Sequence, residues 1–488
     1  MQREDRMIGY IFDMVETRYD QRRRFATWAW LTAVLAWAMI PSCGLAGERL
    51  TLNFNPDWRF IKADPNATQS PELNDADWQA VSAPHTYNDT DTFDDWSILG
   101  HVGEQNQWAG RTWYRKTFTV PESFKGKEVY IEFEAVRQVA EVFLNGQLLG
   151  VSKTGFSPFG FDLTQHLRFG RPNCLAVMCD NRFMKDPVAR GAVREQRAAG
   201  AAQGGPSAVP SQAGCTDLNM APPANPSLAE LSSRFNAGIP EDVNQIQADQ
   251  IPWNNPHWHP AHGGLYRNVR LYVTDPLHIS LPLYSFLQTV GPYVYATDIS
   301  DKSAKIGIEV PVENGRTTGE AVELAVEVLD RDGKAVLTLK GSEPIASGAK
   351  AEFKVSGMIE NPEHWEPAYP YLYRVVCKLS VGANVVDTCE VQLGIRAVQW
   401  DVNTGFTING HPLKLHGWGH KPTDEWPGLG AAQPDWMHFY TLDLMKQAGG
   451  NFIRWGHCLG GPAQVDAADR LGLITEQPGL GYIIRPAP

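Results

Sequence analysis

The tightest constraint on this chain lies near its C-terminal end. Three short apolar runs, Leu413-Lys414-Leu415-His416, Asn451-Phe452-Ile453-Arg454 and Leu473-Ile474-Thr475-Glu476, are separated there by stretches with helical patterning. Between the first two, Met437, Tyr440, Leu444 and Met445 recur at helical spacing from Asp435 to Ala448, and Gly449-Gly450 supplies a stop. Ala463 to Leu471 predicts a second helix, closed by Gly472. Strand and helix in alternation specify βα units on a parallel sheet, which here reads as the opening of a TIM (β/α)8 barrel. A complete barrel takes eight such units and roughly 250 residues. The expectation is therefore an incomplete barrel, its first three βα units only. Each run closes on a polar or aromatic residue, His416, Arg454-Trp455 or Glu476, and strand C-termini are where barrel enzymes carry their chemistry.

The 488 residues allow roughly three domains of about 150 residues, and 43% hydrophobic content with 16 Trp is ample for sizeable cores. A formal charge of −12, with scattered lysines and arginines, offers no basic face for nucleic acid or anionic lipid. Near the N-terminus, Arg22-Arg23-Arg24 precedes an apolar run from Phe25 to Ile40 and small residues up to Ala46, the pattern of an export signal. The run is short for a bilayer span of roughly 20 residues, so no stable membrane span is expected. The protein is read as exported, periplasmic or extracellular, with lipid anchoring through Cys43 as the alternative. Among the cysteines beyond Ala46 there is no CxxC pair, and no metal or other cofactor is expected. Cys174 and Cys179 lie in one strand and point to opposite faces. Cys377 and Cys389 are placed to meet across a hairpin, although small buried hydrophobes is the preferred reading for all the cysteines.

Residues 47–275 are rich in short strands, Arg111 to Val120, Glu128 to Phe133, Val139 to Leu144 and Asn173 to Cys179, with Asn145-Gly146 as a tight hairpin turn. This predicts an all-β jelly-roll sandwich. Residues 187–250, low in periodicity and rich in Ala, Gly and Pro, read as a mobile insertion within it. Alternation returns over 276–397, in Lys305 to Val310, Ala321 to Leu329, Ala335 to Leu339, Lys350 to Val355, Leu372 to Leu379 and Asn384 to Leu393, predicting a second sandwich of immunoglobulin-like type. The partial barrel takes 398–488, and 1–46 is the leader.

Together these landmarks resemble glycoside hydrolase family two, the family of β-galactosidases, β-glucuronidases and β-mannosidases. The resemblance runs from about Leu52 to Tyr482. It is carried by Trp113-Tyr114-Arg115-Lys116-Thr117-Phe118, Val142-Phe143-Leu144-Asn145-Gly146, Gly155-Phe156-Ser157-Pro158-Phe159, Gly263-Gly264-Leu265-Tyr266-Arg267-Asn268-Val269, Leu393-Gly394-Ile395-Arg396 and Asn451-Phe452-Ile453-Arg454-Trp455-Gly456-His457. It implies a galactose-binding-like jelly roll, then an immunoglobulin-like domain, then a barrel. The implied protein is an exported, β-galactosidase-like glycoside hydrolase of carbohydrate catabolism, and the implied reaction is retaining hydrolysis of a β-glycosidic bond in an oligo- or polysaccharide by two glutamates, whose carboxyls stand roughly 5 to 5.5 Å apart. Family members draw those glutamates from the fourth and seventh barrel strands, so no catalytic residue is assigned here and the chain alone is expected to be inactive. The other reading is an exported, non-catalytic carbohydrate-binding protein. An oligomer is compatible with either.

For the sugar site, the resemblance implies substrate-binding roles for Arg454 and His457, an Arg-x-x-His at the end of the second strand, and for His420 after the first. Arg454 has a structural alternative, an ion pair with Glu476. His257, His259 and His262 have spacing open to a metal but sit among tryptophans and prolines, so packing is preferred. Trp253 and Trp258 read as core before sugar-stacking residues, and Asp424-Glu425 reads as solvated.

Overall fold

The computed structural model describes residues 49–87, 110–153, 155–182, 263–284, 291–420, 429, 431–456 and 459–477, all within the unit Gly47–Pro488. The leader, the insertion 187–250, His257, His259, His262, Trp253, Trp258, Asp424, Glu425 and His457 lie outside the described residues. Among those described, no helix is long and apolar enough to cross a membrane.

The first sandwich is built from β1 (Leu50–Asn53), β2 (Trp58–Ile61), β3 (Gln79–Val81), β4 (Arg111–Thr119), β5 (Glu128–Phe133), β6 (Val139–Leu144), β7 (Gln147–Ser152), β8 (Phe159–Asp162), β9 (Pro172–Asp180) and β10 (Val269–Thr274). Its two antiparallel sheets have the orders β3-β2-β4-β9-β6-β7 and β1-β10-β5-β8. Trp58, Tyr114, Ile131, Phe133, Leu144, Leu175 and Leu271 fill the space between them; each fully buried aliphatic or aromatic side chain contributes roughly 1.5–3 kcal/mol. The β6–β7 turn is the expected one. Asn145 and Gly146 have φ of 53° and 86°, the left-handed pair that a two-residue hairpin needs to match strand twist.

The second sandwich follows with β11 (Leu277–Ile279), β12 (Tyr293–Thr297), β13 (Ser303–Asn314), β14 (Glu320–Leu329), β15 (Ala335–Ile345), β16 (Lys350–Glu360), the short ladder β17 (Trp365–Glu366) with β18 (Tyr369–Pro370), and then β19 (Tyr373–Val381) and β20 (Asn384–Leu393). In β14 the alternation is clean: Val322, Leu324, Val326 and Val328 point into the core while Glu323 and Glu327 point away. Ile306, Ile308, Val310 and Val312 of β13 meet them from the facing sheet. The two sandwiches are joined by charge. Arg49 pairs with the buried Asp387 at 2.7 Å, which also accepts the Ile279 N–H at 2.8 Å.

Beyond a small antiparallel sheet of β21 (Val398–Asp401), β22 (Gly405–Ile408) and β23 (His411–Pro412), the chain forms β24 (Gly417–His420), α1 (Asp435–Gln447), β25 (Phe452–Trp455), α2 (Pro462–Leu471) and β26 (Ile474–Glu476). The three strands β24-β25-β26 are parallel, as the strand–helix alternation requires. Leu442, Ile453, Trp455, Ala467, Ala468 and Leu473 form the local core.

Two expectations are corrected here. The first parallel strand is not the apolar run Leu413–His416 but Gly417–His420. Gly417 lies so close to the Phe452 carbonyl that any Cβ would collide with it, so the ladder forms where the backbone is bare. Asn451 ties down the apolar run instead, receiving the His416 N–H on its side-chain oxygen at 2.8 Å and donating to the Lys414 carbonyl at 2.9 Å. In α1, the buried face is Met437, His438, Thr441 and Leu442. Tyr440 and Leu444, which the helical spacing would put inside, are exposed.

Candidate functional site

The parallel sheet sets three strand ends side by side. His420 of β24 is in register with Trp455 of β25, and Gly419, Arg454 and Glu476 are in register across all three strands. His420 is buried, its ring edge-on to Trp455 at 5.4 Å and 80°. Arg454 is half-buried and Glu476 exposed; as register neighbours in a pleated sheet their side chains leave on the same face. Of the expected sugar-site residues, then, the structure brings His420 and Arg454 to one end of the sheet, and His457 lies outside the described residues. Of the three strand ends, one carries a carboxylate, Glu476. Among the described residues no group of His, Cys, Asp and Glu is arranged to hold a metal ion.

In the chain, β24 precedes α1 and β25 precedes α2, and the first sandwich contacts the start of α1 and the segment before α2. Arg267 donates to the Phe156 carbonyl at 3.1 Å and, across the seam, to the Leu459 carbonyl at 3.0 Å. Asn268 donates to Glu134 at 3.0 Å and to Asp435 at the start of α1 at 2.8 Å. Arg270 pairs with the same Glu134 at 2.9 Å and reaches Asp435 at 4.0 Å. Tyr266 completes the contact, packing with Ala135, Ala431 and Ala432 while its hydroxyl donates to the Gly155 carbonyl at 2.9 Å.

His438, one turn into α1, sits within this seam. Burial, reinforced by the positive charge of Arg267 and by His420, pushes its pKa down to about 3, so the imidazole is neutral at any ordinary pH. His420 thus stands by this neutral ring on a seam whose remaining groups are hydrogen-bond donors and paired carboxylates, while Arg454, in register with Gly419, leaves on the opposite face of the sheet with Glu476. Such an end wall suits a polyhydroxylated or carboxylate-bearing ligand, because arginine offers a rigid fork of donors to paired oxygens.

Sequence reasoning missed His438 and the coupling of Asp435 to Asn268. His438 carries no local signal, being one more residue on a helix. Arg267 and Asn268 were visible only as part of a motif; their partners lie 192 and 167 residues away. A separate cavity of about 410 Å³ opens on the first sandwich, away from the strand ends, lined by Phe60, Trp78, His85 and Tyr87 with Lys62 and Asp77.

Two β-sandwiches lead here into a parallel βα unit with polar groups at its strand ends. Two family models match the chain: glycosyl hydrolases family 2 matches residues 290–396, and the glycosyl hydrolase 2 galactose-binding domain-like model matches 89–206. The chain belongs to glycosyl hydrolase family 2, a family of glycosidases. It is 44% identical over 435 residues to a β-glucuronidase of Formosa agariphila, covering 89% of this chain and 38% of that protein. It is 28% identical to the β-galactosidase BoGH2A of Bacteroides ovatus, covering 89% of this chain and 42% of that one. A solved structure of a family 2 β-glucuronidase superposes with a TM-score of 0.73 at 44% identity, over 89% of this chain and 39% of that one. The chain therefore spans about two fifths of the length of these relatives.

Proposed function

We propose that this chain forms the N-terminal part of an exported retaining β-glycosidase acting on β-glucuronides, in which the parallel strands open a TIM barrel and the second sandwich is of immunoglobulin type. Arg454 lines the sugar side of the site, His420 closes the adjacent strand end against Trp455, and the first sandwich flanks that end of the sheet through Arg267 and Asn268. The observation that carries this reading is the 44% identity to a β-glucuronidase along nearly the whole described region, with Arg454 at a strand end. The acid/base and nucleophilic glutamates that retention requires are supplied from outside residues 49–477.

Hydrolysis of aryl β-glucuronides and aryl β-galactosides tests it. The 488-residue protein is expected to show no turnover above background. A chimera that continues beyond Glu476 with the remainder of the F. agariphila relative is expected to hydrolyse the glucuronide preferentially. Turnover by the 488-residue protein alone would overturn the assignment of both glutamates to the missing part. A folded but inactive chimera would favour the second reading, a carbohydrate-binding protein.

That second reading has its own support in the 410 Å³ cavity, which Trp78 lines together with Lys62, Asp77 and Gln79. Calorimetric titration with β-linked glycans decides it, since loss of binding in Trp78→Ala would place a saccharide there.

A further inference from the structure

Cys377 on β19 and Cys389 on β20 are direct register partners in an antiparallel ladder. Opposed residues in such a ladder have Cα atoms roughly 4.5–5.5 Å apart, inside the roughly 4.4–6.8 Å window that a disulfide spans. Both side chains leave on the inner face: Cys377 is part of the core of the second sandwich and Cys389 packs against it. Cys389 remains partly accessible, whereas Cys377 is fully buried. The other two described cysteines, Cys174 and Cys179, lie on β9 of the first sandwich. Cys377 and Cys389 are thus the one register-matched cysteine pair among the described residues. They also sit at a mechanically exposed place. β20 is the edge strand of the sheet β15-β14-β19-β20, and two residues from Cys389 it carries Asp387, the anchor for Arg49 of the first sandwich.

We propose that Cys377 and Cys389 are a disulfide site that staples this edge strand to its neighbour when the protein meets a disulfide oxidant, such as oxidised glutathione or the disulfide of an oxidoreductase. The Cys389 thiol loses its proton and the thiolate attacks the oxidant's S–S bond, expelling one thiolate and leaving a mixed disulfide. The Cys377 thiolate then attacks the Cys389 sulfur and expels the second oxidant thiolate. Two protein thiols become one S–S bond, and the two released protons convert the oxidant to two thiols. Burial raises the pKa of Cys377 to about 12, with Cys389 adding to the rise, and burial also lifts Cys389. Thiolate is the attacking species, so closure is slow in the folded protein at neutral pH and faster at mildly alkaline pH.

The full chain, purified reduced and incubated with oxidised glutathione at mildly alkaline pH, is analysed by intact mass and by peptide mapping after alkylation in denaturant. A species lighter by two hydrogens is expected, with a Cys377–Cys389 cross-link and a urea midpoint above that of the reduced protein. Cys389→Ser should lack the cross-link while keeping the reduced midpoint. Full alkylation of both cysteines after incubation, a cross-link to a different cysteine, or a lower midpoint for the oxidised protein would each overturn the proposal.

Discussion

The α/β unit is gripped at its two ends by different chemistry. At the strand C-terminal end the first sandwich makes a polar seam, in which Arg267, Asn268 and Arg270 reach the Leu459 carbonyl and Asp435. At the opposite end the second sandwich makes a close-packed backbone seam. Trp365 donates to the Asp469 carbonyl near the end of α2 at 2.8 Å, Lys446 donates to the carbonyls of Pro367 and Gly472, and Gly472 lies against Pro367 with no room for a side chain. The contrast follows from what each end must do. Burying charged and amide groups costs desolvation that good pairing only offsets; the packed end leaves its Lys446 ammonium half-buried and closes backbone against backbone at Gly472 and Pro367. A polar seam brings in its place oriented donors beside the strand ends.

Breaking the packed seam should have the largest effect. Gly472 has φ of 73° and contacts the Pro367 backbone, so Gly472→Ala combines left-handed strain with a clash; about 3 kcal/mol of stability should be lost in urea unfolding. A loss under about 1 kcal/mol would mean that the seam yields freely. Next comes the polar seam. Arg267→Ala removes charge-assisted hydrogen bonds to two carbonyls, for about 2 kcal/mol. It should also raise the His438 pKa, to which the guanidinium's charge contributes after burial. NMR titration of His438 would read this, and an unchanged value would separate the two groups.

Trp365→Phe, on the packed seam, loses the indole N–H donor and part of a fully buried ring, so about 1.5 kcal/mol is expected by the same denaturation. A further effect concerns pH. Burial, then the neighbouring Glu134, raises the Glu132 carboxyl from 4.5 to about 7. A raised carboxyl holds its proton better in the folded than in the unfolded state, so stability falls as pH rises from about 4.5 through 7 and is lowest above 7. Glu132→Gln should therefore raise Tm at pH 8 relative to the parent and leave it nearly unchanged at pH 4. The same sign at both pH values would contradict the assignment. Trp365→Phe should show no such pH dependence.

How much of this was legible in the sequence divides along the same line. Strands whose side chains alternate, such as Glu320–Leu329, and the Asn145-Gly146 turn were readable because their signals are local. The order sandwich, sandwich, α/β unit followed from periodicity. The first parallel strand was misplaced because apolar content is a poor guide where backbones touch: Gly417 lies under the Phe452 carbonyl and Gly450 under the Trp418 ring, and neither contact has a side-chain signature. The inward face of α1 was misread for a related reason. Trp436, Phe439, Tyr440 and Leu444 are exposed while His438 and Thr441 are buried, so polarity alone inverts the face. Arg454 was read at a strand end from the apolar run and His420 from the resemblance, whereas the seam at the start of α1 depends on pairings more than 160 residues apart.

The most direct test of the account is kcat/KM for an aryl β-glucuronide in the chimera described above, with and without Arg454→Ala. If the strand ends form the sugar site, the substitution lowers kcat/KM on the order of 100-fold while the urea midpoint stays close to that of the parent chimera. An unchanged kcat/KM would place the sugar elsewhere and contradict the assignment of this end of the sheet as the functional face.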